Sequence, residues 1–299
     1  MIKKENIDVL IYAMENRMIK LFKYLLIIIL IIIIQSKHYT NGATLPISII
    51  NNYKKDPVLL EVVNADYAIN KLIIEKYVKE IEDNIQRPVV NINYLVDYPS
   101  KILPNSDSYK RGKSILNEKE GIPLTLLNNR VIQRGLPTPL TGKTIDIKNN
   151  IIKKVNNYIY KEYFSLKDFK IIRKDTNIFQ LNINIVTSNE LNTKLLDESH
   201  VLIFLVINEL KSNISSNLFH PNIAYEYIPI KGYKEKEFNG IGFTLKEIIN
   251  KDTVSKGMEI KISTSDFCIN REIQANWSIV IIIENIKNKY LLFCRKILL

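Results

Sequence analysis

Apolar and polar positions repeat with two different periods along this chain, and the pattern changes near residue 166. Before that point, apolar runs at 57–63 and 89–96 predict strands, and helical spacing over 67–84 and 145–160 predicts amphipathic helices. A polar helix is predicted between residues 106 and 121. Beyond residue 166, short β-like runs predict a β-sandwich; they lie at 169–173, 178–186, 201–208, 223–230, 258–264, 277–284 and 290–297.

A proline stands at the mouth of one apolar run. Pro123 follows Gly121-Ile122 and leads into Leu124–Leu127, after which Asn128-Asn129 separates that run from residues 131–133. Proline cannot donate to a strand ladder, so it is restricted to strand starts, edges and bulges. The pattern predicts a hairpin with a primed turn, and it makes Pro123 a candidate cis-proline.

The order of these elements predicts a fold class. Strand, helix, strand, helix, hairpin and helix within residues 56–162 is the order of a thioredoxin-like α/β domain, and residues 166–299 read as a β-sandwich domain. We therefore expect an α+β protein with its domain boundary near 162–168. The uniformly apolar run Val201–Ile207 is expected to be a central strand covered on both faces.

The first 42 residues carry a targeting signal. Lys20 and Lys23 precede Tyr24–Ile34, which holds no charge and consists almost entirely of Leu and Ile. Such a short apolar core after lysines is typical of a secretory signal peptide, and an uncleaved membrane anchor through Leu21 to Ile34 is the other interpretation. Either one predicts export of the rest of the chain to a periplasmic, secreted or membrane-anchored location.

Net charge and cysteine content narrow the function classes. The formal net charge is +11, but the lysines are scattered among acidic residues, so we expect no nucleic-acid partner. The two cysteines, Cys268 and Cys294, form no CxxC motif. They are either a disulfide, for which loop closure predicts about 3.5 kcal/mol of stabilisation, or two buried thiols.

Four short motifs stand in the first half of the chain: Glu61-Val62-Val63-Asn64, Leu95-Val96-Asp97-Tyr98-Pro99, Tyr109-Lys110-Arg111 and the stretch from Ile122 to Arg130. In their order and spacing they resemble a family of bacterial exported thioredoxin-like proteins of uncharacterised function, related in layout to the Omp28-type outer-membrane lipoproteins. The resemblance implies a CxxC after the first strand, but Ala68 and Lys71 stand at those positions. A thiol oxidoreductase needs an attacking and a resolving thiol. The domain is therefore expected to be a redox-silent scaffold in which Pro123 serves backbone geometry.

Other motifs fail on their spacing. The segment from Gly135 to Thr144 ends in Gly-Lys-Thr but has a proline where a phosphate loop needs its first glycine. His38, His200 and His220 show no metal-ligand spacing. A carboxylate pair of Glu61 and Asp97 is less expected than solvated or capping roles. We therefore assign no catalytic, cofactor-binding or metal-binding residue. The sequence favours a non-enzymatic protein without cofactors.

The leading hypothesis is an exported binding or structural module of the cell envelope, with an unknown protein or small-molecule ligand. The alternative is a thioredoxin-fold envelope thiol-disulfide oxidoreductase or thiol chaperone that uses Cys268 or Cys294. A weaker alternative is a surface interaction protein of a parasite or endosymbiont.

Overall fold

The computed structural model describes only part of the chain in detail. The described residues are 56–65, 80, 84–85, 87–96, 108–116, 122–135, 144–159, 161–211, 219–233, 243–251, 253–270, 273, 275–285, 287 and 290–299. The signal segment, most of the predicted helix at 67–84, and Ala68, Lys71 and Asp97 lie outside these residues.

Thirteen strands and four helices have their bounds within the described residues. The strands are β1 Val58–Asn64, β2 Val89–Leu95, β3 Leu124–Leu127, β4 Arg130–Arg134, β5 Phe164–Arg173, β6 Ile178–Thr187, β7 Ser199–Lys211, β8 Phe219–Tyr227, β9 Phe243–Thr244, β10 Glu259–Ser263, β11 Phe267–Cys268, β12 Trp277–Asn285 and β13 Tyr290–Leu298. The helices are α1 Ser108–Ile115, α2 Thr144–Asn157, α3 Thr193–Asp197 and α4 Leu245–Ile249.

Strands from both halves of the chain share one sheet of nine strands. Its order is β13-β12-β7-β8-β2-β1-β3-β4, with β9 paired to β7. The halves join where β2 runs parallel to β8, with Asn93 opposite Ile223. As predicted, Val201–Ile207 is a buried central stretch, because β7 lies between β12 and β8.

The predicted fold class is wrong. Instead of a thioredoxin-like α/β domain followed by a β-sandwich, the described chain is mostly β, with a large mixed sheet and a second sheet of four strands in which β5, β10 and β11 pair with β6. Local periodicity identified many of the strands, but the pairing of β2 with β8 joins residues far apart in sequence. That pairing places strands from both sides of residues 162–168 in the same layer. The limits of the domains themselves remain a prediction.

The hairpin of β3 and β4 forms as predicted. Asn128 and Asn129 have φ of +48° and +66°, the left-handed values that a type I′ turn requires at both central positions. The Asn128 side chain accepts a hydrogen bond from the Leu59 amide at 2.7 Å, which ties the turn to β1. The Ile122–Pro123 peptide bond just before β3 is cis.

The end strands of the nine-stranded sheet are protected in different ways. On β13, the Leu292 carbonyl accepts a bond from the Tyr163 amide at 2.9 Å, and the Cys294 amide donates to the Glu162 carboxylate at 3.2 Å. At the other end, β4 is only five residues long, begins and ends with arginine, and contains a bulge in its pairing with β3. Short length, charge and bulges all discourage edge-to-edge pairing of sheets.

Candidate functional site

Four polar side chains meet in the core between β1, β2, α1 and β12. Arg111 donates to both carboxylate oxygens of Glu284, at 2.7 and 2.8 Å, and to Glu61 Oε1 at 3.1 Å. The Tyr94 hydroxyl also donates to Glu61 Oε1, at 3.1 Å. Glu61 and Tyr94 are fully buried, Glu284 is 5% exposed, and the Arg111 side chain is 13% exposed. We call these four residues the Arg111 cluster.

Strand alternation explains how Glu61 enters the core. In β1, Leu59 and Val63 belong to the main apolar core, whereas Val58 and Leu60 pack with Ile151 and Val155 of α2 on the opposite face. Because side chains alternate along a strand, Glu61 faces the same side as Leu59 and Val63. Arg111 reaches it from α1, which packs closely against that side of the sheet.

Gly112 makes this close packing feasible. A Cβ on Gly112 would lie 2.4 Å from Val96 Cγ1 and 3.1 Å from Tyr94 Cβ. We expect Gly112→Ala to lower the free energy of unfolding by about 1–3 kcal/mol, because overpacking outweighs the better helix propensity of alanine. Urea unfolding measures the change. Ser114→Ala, at an exposed position of the same helix, is the control and should be nearly neutral; an equal effect of both substitutions would contradict the packing argument.

Burial dominates the electrostatics of the Arg111 cluster. It raises the pKa of Glu61, and the nearby Glu284 carboxylate adds to the rise, although Arg111 opposes it. Burial and the Glu61 charge also raise the pKa of Tyr94. Burial alone would lower the pKa of Arg111, but its two carboxylate neighbours outweigh that effect and raise it. Among the described residues, Glu61 Oε2 and Arg111 Nε have no hydrogen-bond partner.

A buried histidine lies next to the Arg111 cluster. His200 on β7 lies opposite Glu284 on β12 in the strand pairing, and it is 3% exposed. Burial lowers the pKa of His200, whereas the carboxylates of Glu284 and Glu247 raise it to a smaller extent. At neutral pH the imidazole therefore favours its uncharged form, and Arg111 is the cation that balances Glu284.

A second buried ionic group lies where β5 begins beside β13. Arg295 Nη1 donates to Glu162 Oε1 at 2.6 Å, and the Glu162 amide donates to Asp56 Oδ2 at 3.0 Å. Arg87 donates to the Asp56 carbonyl and, at 2.6 Å, to the Tyr158 carbonyl. We call Asp56, Arg87, Glu162 and Arg295 the Glu162 junction. It joins the approach to β1, the end of α2 and the last strand of the sheet.

The Glu162 carboxyl group titrates near neutral pH. Burial raises the pKa of Glu162 to about 7, although Arg295 and the Cys294 amide oppose the rise. Burial and the Glu162 charge also raise the pKa of the Cys294 thiol well above its usual value. Cys294 is therefore a protonated, enclosed thiol at neutral pH, which is a poor nucleophile.

The structure separates the residues that the sequence analysis paired. Cys268 is exposed on β11 of the small sheet, Cys294 is buried on β13 of the large sheet, and both are free thiols, so the disulfide considered above is not formed. Glu61 is buried with Arg111 instead of being solvated. Its considered partner Asp97 lies outside the described residues, as do His38 and most of the segment from Gly135 to Thr144.

Sequence reasoning missed both ionic groups. The available signal was a charged residue inside an apolar strand: Glu61 within VLLEVVN, Glu284 near the end of WSIVIIIEN, and Arg295 within YLLFCRKIL. A buried charge needs a partner of opposite charge. The sequence does not show which partner, because Arg111 and Glu284 are 173 residues apart.

The described residues contain no group of three or more His, Cys, Asp or Glu side chains arranged to hold a metal ion. None of their helices combines the length and the apolar character needed to cross a membrane.

The chain has weak similarity to two solved structures. The chain matches no family model and no curated protein sequence. A crystal structure of an Agrobacterium tumefaciens protein is 8% identical, with a TM-score of 0.43, covering 82% of this chain and 96% of the other. A domain of the outer membrane lipoprotein Omp28 from Porphyromonas gingivalis is 11% identical, with a TM-score of 0.25, covering 47% of this chain and 90% of that domain. This structural similarity to Omp28 is weak, and no match supports a thioredoxin-like family.

Proposed function

We propose that this chain is an exported binding or structural module of the cell envelope, which acts through its surfaces and not through covalent chemistry. The supporting observation is that its buried charged groups bind one another. Arg111 uses both terminal nitrogens on Glu284 and Glu61, and Arg295 is bound to Glu162. These contacts join α1 and β1 to β12, and join the residue two positions before β5 to β13.

Export is inferred from the sequence alone. Lys20 and Lys23 before the apolar stretch Tyr24–Ile34 have the form of a secretory signal or membrane anchor. The mass of the protein recovered from its native cells, compared with the full-length mass, tests this part of the proposal. Recovery of the protein only from the cytoplasm at full length would contradict it.

The non-enzymatic proposal and the thiol-enzyme alternative predict different reactivities for the two cysteines. With the native protein, we expect a maleimide to modify Cys268, which is exposed, and to leave Cys294 unmodified until urea is added, because Cys294 is buried and its pKa is raised. Intact mass spectrometry follows the reaction. Cys268→Ser is the matched control and should leave a native protein that takes up no maleimide.

Two outcomes would overturn the non-enzymatic proposal in favour of thiol chemistry. One is rapid modification of Cys294 in the native protein. The other is exchange of Cys268 with glutathione disulfide at least a hundredfold faster than an unfolded cysteine peptide, since that rate requires an activated thiolate.

A further inference from the structure

The two end strands of the nine-stranded sheet meet at one exposed corner. The guanidinium of Arg130, the first residue of β4, lies over the ring of Tyr290, the first residue of β13, at 5.2 Å from the ring centre. Tyr290 is 50% exposed, and Arg130 is exposed as well. An arginine and a tyrosine therefore form one exposed surface, which we call the Arg130 corner.

We propose that the Arg130 corner is the docking surface of this module, and that its partner is a protein segment carrying carboxylate side chains. The inference rests on the proposed function, which requires a binding surface but does not say where it lies. Arginine and tyrosine are enriched among the residues that dominate protein interfaces.

Charge selects the partner. Neither end strand contains an Asp or Glu: β4 reads RVIQR and β13 reads YLLFCRKIL. Beside the turn between β12 and β13, the carboxylate of Glu198 is already paired with Lys287 at 3.4 Å. No acidic residue of either end strand therefore offsets the charge of Arg130, which attracts acidic side chains.

The guanidinium of Arg130 is suited to bind a carboxylate. It lies over the Tyr290 ring, with Cζ 5.2 Å from the ring centre. A guanidinium can bind a carboxylate with two parallel N–H hydrogen bonds while it remains over an aromatic ring. The ring also holds the arginine in place, which reduces the entropy lost on binding.

Two other occupants fit less well. Addition of a partner strand to the edge of β4 is opposed by the bulge and by Lys154, whose ammonium donates to the Ile132 carbonyl at 3.1 Å. A second copy of this chain would bring the arginines of two β4 strands together, and like charges repel. Side-chain contact with an acidic segment avoids both obstacles.

The test uses the full chain and a fluorescein-labelled peptide in which glutamate and leucine alternate, followed by fluorescence anisotropy at low salt. We expect Arg130→Ala and Tyr290→Ala each to weaken binding about tenfold, as hot-spot truncations do. Lys153→Ala, which removes an exposed positive charge on α2, is the matched control and should change binding less than twofold. Thermal unfolding confirms that each variant is folded.

Three results would overturn the proposal. The first is no binding of the peptide. The second is equal weakening by Lys153→Ala, which would mean that only the overall charge matters. The third is tighter binding of a single-stranded oligonucleotide that also depends on Arg130, which would make the partner a nucleic acid. The maleimide experiment does not involve this surface. If the peptide-binding experiment fails, the proposed function still stands, whereas a failure of the proposed function shows in the maleimide experiment.

Discussion

Replacing Arg111 with methionine is expected to lower the free energy of unfolding by about 3–5 kcal/mol at pH 7, because it leaves buried carboxylates without their cation. Glu61 is fully buried and Glu284 is 5% exposed, so water cannot replace the lost contacts. The loss should shrink as the pH falls towards 4, because burial raises the pKa of Glu61 and protonation removes its negative charge. Urea unfolding of the variant and the wild type at pH 7 and pH 4 measures it.

Two further variants make this result specific to the Arg111 cluster. Arg173→Met removes an exposed arginine from β5 and should cost less than about 1 kcal/mol. Adding Glu284→Gln to Arg111→Met should restore part of the loss, because one of the unpaired charges is then gone. A loss below about 1 kcal/mol for Arg111→Met would show that the cluster is not stabilised by its ion pairs.

Replacing Glu162 with glutamine is expected to flatten the pH dependence of stability between about pH 4.5 and pH 7. The pKa of Glu162 is raised in the folded state from 4.5 to about 7, so the folded protein holds this proton more tightly than the unfolded chain does. The resulting stabilisation is fully present below pH 4.5 and is lost as the pH rises through 7. At about 1.4 kcal/mol per pH unit, the wild type loses about 3 kcal/mol that the variant does not.

The measurement is urea unfolding of both proteins from pH 4 to pH 8, and the difference between the two curves isolates Glu162. Glu259→Gln serves as the control, because Glu259 is exposed and its hydrogen bonds with Lys167 and Asn184 lower its pKa. Its contribution is therefore present above pH 4.5 and lost as the pH falls, which is the opposite sign. Parallel curves for Glu162→Gln and wild type would contradict the raised pKa.

Local pattern predicted individual elements well and their assembly poorly. The strand at 89–96, the helix at 145–160 and the turn at Asn128-Asn129 correspond to β2, α2 and the hairpin of the structure. Each of these follows from residues that are neighbours in sequence. The fold class failed because it depends on the pairing of β2 with β8, where Asn93 lies opposite Ile223. No periodicity in either strand specifies that partner.

The candidate site shows the same division in its chemistry. The apolar neighbours of Glu61 in β1 place it in a buried strand, and burial requires a compensating group. The identity of that group depends on where α1 and the end of β12 lie in the folded chain. Glu61 and Arg111 belong to two separate motifs of the sequence resemblance. Only the structure shows that Arg111 Nη2 lies 3.1 Å from Glu61 Oε1, and that Arg111 also binds Glu284.

The long spacing of these ion pairs has a consequence for the order of events during synthesis. The Glu162 and Arg295 contact spans 133 residues, and the contact of the Cys294 thiol with the Pro57 carbonyl spans 237. Contacts between distant parts of a chain form slowly, because a large loop must close before they contribute. Neither buried ionic group can therefore be completed before residues 284–295 have left the ribosome. The last two strands of the large sheet must therefore be synthesised before the charged side chains of the earlier segments find their buried partners.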